Sequence, residues 1–120
     1  MTNDEIQLKA FNKVRRYERK FGRNIRVHKT DGYDLISLRN EKIVRHIEVK
    51  GTTKSRLSFR WFEENEFHTL LKDRIFYLYI VTGVGTRLMN VYEFSQKETL
   101  LHYNRIVNKF YFTFAKEDFE

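Results

Sequence analysis

Apolar positions recur at three- and four-residue steps in the first part of the chain and alternate or cluster after it. Helical spacing of apolar side chains over residues 4–21 predicts an amphipathic helix, with Asn3 or Asp4 as its cap and Gly22 as its end. Alternating runs predict strands at residues 24–28, 33–38 and 43–50, separated by turns at residues 29–32 and 39–42.

The second half of the chain predicts a shorter set of elements. A strand is expected at residues 57–61 and a helix at 63–71. The run 75–82 is apolar throughout, which indicates a central strand covered on both faces. A neighbouring strand follows at 88–94, a capped short helix at 95–103 and a last strand at 109–114, while the acidic end is expected to fray. This order predicts one domain over residues 1–120, of the α/β (α+β) class, with a mixed central sheet flanked by helices.

The composition favours a folded protein with a polyanionic partner. The net charge is +7, from 23 basic and 16 acidic residues, which favours nucleic acid; plain solubility is the alternative. The absence of cysteine excludes disulfides, thiolate zinc sites and a cysteine nucleophile. The polar N-terminus does not resemble a signal peptide and no apolar run reaches membrane-spanning length, so we expect a soluble, intracellular, cytoplasmic protein.

Three charged residues stand on two neighbouring predicted strands. Asp34 lies on one, and Glu48 and Lys50 lie two apart on the next, sharing a face opposite to Ile47 and Val49. Charged side chains are seldom buried unless they are paired. Two carboxylates suit Mg²⁺, and a nearby amine can activate water or stabilise developing charge, so the set fits divalent-metal hydrolysis of a phosphodiester. The alternative is a solvated strand face with a Glu–Lys pair.

The Asp followed by Glu-x-Lys resembles the motif of the PD-(D/E)xK nuclease superfamily. Within it, residues 32–37 and 47–52 look most like the domain named after the C-terminal region of the protein NO VEIN. Tyr33 occupies the position of that family's loosely kept proline, which is not a ligand. The resemblance covers about residues 14–95 and implies a restriction-endonuclease-like α-β-β-β-α-β core.

The resemblance also implies an activity: a Mg²⁺-dependent endonuclease, most simply of DNA, with Mn²⁺ as a substitute. Asp34 and Glu48 would hold the metal, the Val49 carbonyl would complete its shell and Lys50 would activate water. Glu18 falls inside the apolar stripe of the first helix and needs a partner, which would be this metal site or, as the alternative, a nearby arginine. Glu66 resembles part of the family motif but is interpreted as helix-start structure.

Other positions are candidates for contact with the substrate. The loop after the third strand supplies hydroxyl and basic side chains suited to phosphates, and the predicted contacts are Thr52, Lys54, Arg56 and Arg60. His46 shares the face of Glu48, although an edge histidine is the simpler interpretation. The outer face of the first helix is basic, as expected for either a phosphate contact or a solvated surface.

The expected partner is nucleic acid, with RNA as an alternative to DNA. Cutting both strands of a duplex favours a homodimer, and similar domains occur joined to a helicase or ATPase, which here would be encoded separately. The rival from another class is a catalytically inactive nucleic-acid-binding or protein-interaction module of the same fold.

Overall fold

The computed structural model describes residues 1–28, 32–57, 59–106 and 109–120, and all of their side chains except those of 59–61, 104–106 and 109–110. Within these residues the helices are α1 (Asn3–Arg19), α2 (Glu64–Lys72), α3 (Gln96–Leu100) and a terminal 3₁₀ turn (Lys116–Phe119). The strands are β1 (Asn24–Val27), β2 (Leu35–Arg39), β3 (Lys42–Gly51), β4 (Phe59–Phe62), β5 (Phe76–Thr82), β6 (Asn90–Ser95), β7 (Tyr103–Ile106) and β8 (Lys109–Thr113).

Five strands form a mixed central sheet in the order β1-β2-β3-β5-β6. The β3–β5 pair is parallel, with Glu48 beside Leu78 and Lys50 beside Ile80, and the other pairs are antiparallel. Parallel neighbours require a crossover, which here contains β4 and α2. The predicted class, a mixed sheet flanked by helices, is confirmed.

Alternating side chains of the central strands serve two hydrophobic cores. One face packs under α1 and comprises Ala10, Val14, Leu35, Ile47, Val49, Tyr79, Val81 and Val84. The opposite face packs against α2 and a second sheet and comprises Phe62, Phe67, Leu70, Phe76, Leu78, Ile80, Phe94, Phe112 and Phe114. Because β5 contributes to both cores, it is the covered central strand that its apolar run predicts.

A tight turn fixes the register of the β2–β3 hairpin. Asn40 and Glu41 both adopt positive φ, 51° and 67°, the backbone conformation of a two-residue hairpin turn with the twist that antiparallel strands need. A bulge between Ser37 and Leu38 then shifts the pairing by one residue, so Leu35 lies opposite Ile47. The Asp34 N–H also donates to the Ile47 carbonyl at 2.9 Å, so the hairpin stays closed up to Asp34 rather than splaying open.

The C-terminal part of the chain departs from the sequence prediction. The short helix ends at Leu100, and β7, which was not predicted, follows it. A second sheet forms in the order β4-β8-β7, pairing Phe59 with Thr113. The chain end, expected to fray, forms the 3₁₀ turn. No helix among the described residues is both long and apolar enough to cross a membrane.

The first helix also begins one step earlier than predicted. Thr2, rather than Asn3 or Asp4, caps α1: its hydroxyl accepts from the Glu5 N–H at 3.2 Å, and the Glu5 carboxylate accepts from the Thr2 backbone. This reciprocal box satisfies two N–H groups of the first turn. It places the polar first turns of α1 at the edge of the sheet.

Candidate active site

Closing of the β2–β3 hairpin brings Asp34 to the end of β3. The Asp34 carboxylate accepts a hydrogen bond from the Val49 N–H at 3.0 Å, which fixes its orientation beside the strand that carries Glu48 and Lys50. The packing of Ile47 and Val49 under α1 turns Glu48 and Lys50 to the other face of the sheet. The three residues of the motif therefore lie close together at one end of the β2–β3 pair.

Lys50 lies between two carboxylates. Its ammonium is 3.2 Å from Glu48 and 3.0 Å from Glu66, which reaches it from the first turn of α2, and all three residues are buried. The ammonium also lies 5.5 Å from the centre of the Phe62 ring, at the border of the second core. These contacts hold the amine in place where an isolated lysine would turn to solvent.

Glu66 is the site residue whose role the sequence analysis missed. One of its oxygens accepts from the Glu63 N–H at 2.9 Å, which is the helix-start role expected for it, and the other accepts from Lys50. The sequence signal for Glu66 was the resemblance of Asn65-Glu66 to the family motif. Glu66 is sixteen residues from Lys50 along the chain, however, and only the folded crossover brings the two together.

The buried charges shift each other's titration. Burial raises the pKa of Glu48 to about 10, and the hydrogen bond with Glu66 and the charge of Asp34 add to the rise while Lys50 opposes it. Burial acts on Glu66 in the same sense, but the hydrogen bond with Glu48 and the charge of Lys50 outweigh it and lower the Glu66 pKa. The site therefore favours a state in which Glu48 holds a proton and Glu66 is ionised, with the Lys50 ammonium in contact with both.

A cleft of about 390 Å³ gives access to these groups. It is lined by Asp34, Glu48, Val49, Lys50 and Gly51 from the hairpin and by Asn3, Asp4, Ile6 and Gln7 from α1. Gly51 leaves room for the helix, because an added Cβ would lie 3.1 Å from Ile6. The predicted catalytic residues therefore share one cleft with a polar opening.

The donor set of this cleft fits a hard divalent cation. Asp34 and Glu48 offer carboxylate oxygens and Val49 offers a carbonyl, which accepts from the Gln7 amide at 3.4 Å. Asp4 adds a further carboxylate on the wall formed by α1. The described residues contain no cluster of three or more histidine, aspartate or glutamate side chains arranged around one metal position. Two carboxylates and one carbonyl suit a cation that keeps several waters, as Mg²⁺ does.

Glu18, predicted to support the metal, is placed elsewhere. It is fully buried under the sheet, where it accepts two hydrogen bonds from Arg23, at 2.9 and 2.7 Å, and others from Ser37 and Tyr79. The reason is that α1 presents its C-terminal half to β2 and β5, away from the cleft. The alternative interpretation, a partner arginine, is the one that the structure supports.

The loop after β3 leaves the cleft directly. The Thr52 N–H donates to the Val81 carbonyl at 2.9 Å, and Lys54 and Arg56 are exposed. The backbone of Arg60 belongs to β4, but its side chain lies outside the described residues.

His46 is occupied by neighbours rather than by the cleft. Its ring stacks on Tyr33 with centroids 4.3 Å apart, and its Nδ1 lies 2.5 Å from the Asp73 carboxylate. Tyr33, at the position of the family's proline, thus packs the strand end next to Asp34 without entering the cleft.

The sheet order, the crossover and the placement of the Asp, Glu and Lys at one end of the β2–β3 pair define the fold, which is that of the PD-(D/E)xK nucleases. The likeness extends to a solved structure, the 1.6 Å resolution structure of Archaeoglobus fulgidus Hjc, a Holliday junction resolvase from an archaeal hyperthermophile. The two share 12% identity and a TM-score of 0.59, over 93% of this chain and 85% of that one. At this identity the likeness is one of fold.

The family itself is identified by sequence. The family described as Protein NO VEIN, C-terminal, matches residues 6–94, and the chain belongs to it. No curated protein matches the chain. The resemblance predicted from residues 32–37 and 47–52 is therefore confirmed.

Proposed function

We propose that this protein is a metal-dependent nuclease that hydrolyses phosphodiester bonds, with DNA as its substrate and Mg²⁺ as its cation. The observation that carries the proposal is the convergence of Asp34, Glu48 and Lys50 in one polar cleft. A solvated Glu–Lys pair would not require the burial of Glu48, Lys50 and Glu66 together.

Each residue of the cleft has a role in this proposal. Asp34 and Glu48, with the Val49 carbonyl, would hold the cation, which supplies Lewis acidity toward the phosphoryl oxygens and a more acidic water. Lys50 would orient the attacking water and stabilise the negative charge that develops on the phosphoryl group. Glu66 would keep the Lys50 ammonium in place through their 3.0 Å contact.

The electrostatics of the cleft support a cation at this position. Burial above all, then the hydrogen bond with Glu66 and the charge of Asp34, oppose ionisation of Glu48. A divalent cation bound by both oxygens would reverse that preference, because an opposite charge within a few ångströms favours the ionised form. Ligand binding and proton release would then be coupled.

The choice of DNA rests on the net charge of +7 and on the fold shared with a Holliday junction resolvase. A polyanion is attracted to a basic protein whatever its sequence. Branched DNA is the first substrate to examine, since that is what the fold neighbour's name describes. Action on both strands of a duplex would call for two copies of the cleft, which a homodimer would supply. A separately encoded helicase or ATPase is the other proposed partner.

Two measurements test the proposal. Thermal melting with and without Mg²⁺ or Mn²⁺ should show a higher midpoint with the metal, because a ligand of the folded state alone stabilises it. The Asp34→Asn protein is the matched control and should lose that shift. Cleavage of single-stranded, duplex, branched and RNA substrates should then require the metal.

The rival is an inactive nucleic-acid-binding or protein-interaction module of the same fold. It predicts no metal-dependent rise in the melting midpoint and no cleavage of any of the four substrates. The burial of Lys50 between two acids favours the enzyme, since a binding surface gains nothing from charges that face away from solvent.

A further inference from the structure

A second, basic groove lies beside the cleft, between α1 and the loop that joins β5 to β6. Its cavity is about 350 Å³ and is lined by Lys9, Asn12 and Arg16 on one side and by Gly85, Thr86 and Met89 on the other. Positions 9, 12 and 16 share one face of the helix at 100° per residue. That face is turned away from the core residues Ala10 and Val14.

The charges of this groove are available for a ligand. Lys9 and Arg16 are exposed, and neither forms an ion pair with any residue that the structure describes. Arg87 is exposed on the same loop, next to Thr86. The Thr86 hydroxyl donates to the Gly83 carbonyl at 2.7 Å, so the groove offers the Asn12 amide and the basic side chains. Amide and basic side chains are usual contacts to phosphate oxygens.

The glycines of the β5–β6 loop allow it to pack closely against Met1, which lies before α1. Gly83 and Gly85 adopt φ of 62° and 86°, in the region that favours glycine. The Met1 side chain packs on Gly85, where an added Cβ would lie within 2.3 Å of it, so the loop is held against the start of α1. The groove therefore has two fixed walls.

The loop that forms one wall of the groove is tied to the loop after β3. The Gly83 N–H donates to the Lys54 carbonyl at 2.8 Å, and the Val84 N–H donates to the Thr52 carbonyl at 3.0 Å. α1 runs past both cavities, with Asp4 in the cleft and Arg16 in the groove. At 1.5 Å per residue, Lys9 and Arg16 lie about 8 and 18 Å from Asp4 along the axis, which is roughly two to five base pairs of duplex at 3.4 Å each.

We propose that this groove binds the phosphate backbone of duplex DNA within about half a helical turn of the scissile phosphate, with Lys9 and Arg16 as the principal contacts. The position of the duplex relative to the scissile phosphate rests on the proposed nuclease function, whereas the binding of phosphates by the groove does not. Backbone contacts of this kind fix the position of a duplex and carry no sequence preference.

The test is the affinity of the full chain for a fluorescent 30-base-pair duplex in EDTA, measured by anisotropy over a range of salt. The Lys9→Ala/Arg16→Ala protein should bind on the order of tenfold or more weakly near 0.1 M salt, with the log–log salt slope reduced by about 2. The Lys42→Ala/Lys97→Ala protein loses the same charge from exposed positions outside both cavities and should bind nearly as the wild type does.

Three results would overturn the proposal that the groove binds DNA. They are unchanged affinity and slope in the Lys9→Ala/Arg16→Ala protein, an equal loss in the control pair, and no binding by the wild type. Melting midpoints confirm that the variants are folded, as expected for exposed side chains. Cleavage with Mg²⁺ is measured separately. If the wild type cleaves DNA but the Lys9→Ala/Arg16→Ala protein binds it normally, only the groove proposal is wrong. If that variant binds DNA more weakly but the wild type cleaves nothing, only the nuclease proposal is wrong.

Discussion

Replacing Glu18 by glutamine should destabilise the fold by about 3–5 kcal/mol, the cost of breaking a buried ion pair. Glutamine keeps the size of the side chain but removes the negative charge that faces Arg23. The guanidinium is only 7% exposed, and the hydrogen bonds and charge of Glu18 raise its pKa, so it stays charged after the change. An uncompensated charge would then be left under the sheet.

The contacts explain why the loss should be large. Glu18 accepts four hydrogen bonds, of which the two from Arg23 form a bidentate pair, and the Tyr79 hydroxyl that donates to it at 3.0 Å also accepts from Arg45. Arg45 continues the network to Glu93 at 3.0 Å. One substitution therefore disturbs groups on α1, β2, β3, β5 and β6.

Urea denaturation and thermal melting followed by circular dichroism measure the effect. For a domain of this size, 1 kcal/mol corresponds to about 4 °C, so the midpoint should fall by roughly 10–20 °C. The matched control is Glu41→Gln, because the Arg26–Glu41 pair is 3.3 Å long but 63% and 86% exposed. Such a pair contributes at most about 1 kcal/mol.

A loss below about 1 kcal/mol in the Glu18→Gln protein would refute this reasoning. A second readout separates structure from chemistry: at a temperature where the variant is folded, metal-dependent cleavage should be retained. Loss of cleavage in a folded Glu18→Gln protein would instead restore Glu18 to the metal site.

Three further predictions concern pH and the cleft. Arg23 lowers the pKa of Glu18, against the effect of burial, so the contribution of the ionised carboxylate is fully present above its ordinary pKa near 4.5 and is lost as the pH falls through the lowered pKa; the gap in urea midpoint between wild type and Glu18→Gln should narrow progressively as the pH falls below 4.5. Burial raises the pKa of Glu48 to about 10, so above pH 4.5 the folded state keeps a proton that the unfolded state loses, and the stability of the metal-free wild type falls as the pH rises; Glu48→Gln should be more stable than the metal-free wild type at pH 8, by on the order of 1–3 kcal/mol, yet inactive, and equal stability of the wild type at pH 4 and pH 8 would contradict this. Glu66→Gln should lower the rate of cleavage about 10–100-fold with metal affinity less affected, because it weakens the support of the Lys50 ammonium; kcat and the metal dependence of the rate check it.

Short-range patterns predicted the central sheet and α1 well. The alternation of residues 43–50 and the apolar run 75–82 each reflect a local period, and the structure places β3 and β5 at those positions as parallel neighbours. The second sheet could not be predicted in this way, since β4 pairs with β8 about fifty residues later and neither strand shows how far its partner lies.

The candidate site shows the same limit. Asp34, Glu48 and Lys50 follow from spacing on two adjacent strands, and the turn at Asn40 brings them together. Glu66 joins them only through the crossover, and Glu18 pairs with Arg23 because the chain reverses after α1. Long-range pairing of charges is decided by packing, which a local pattern does not contain.

The central claim is that Lys50 acts at a hydrolytic site. The most direct measurement is the rate of Mg²⁺-dependent cleavage of branched and duplex DNA by the wild type, by Lys50→Met, and by Lys42→Met as a control at the exposed far end of the same strand. We predict cleavage by the wild type and by Lys42→Met, and none by a folded Lys50→Met protein that still binds DNA. Cleavage at the wild-type rate by Lys50→Met, or none by the wild type on either substrate, would contradict the account.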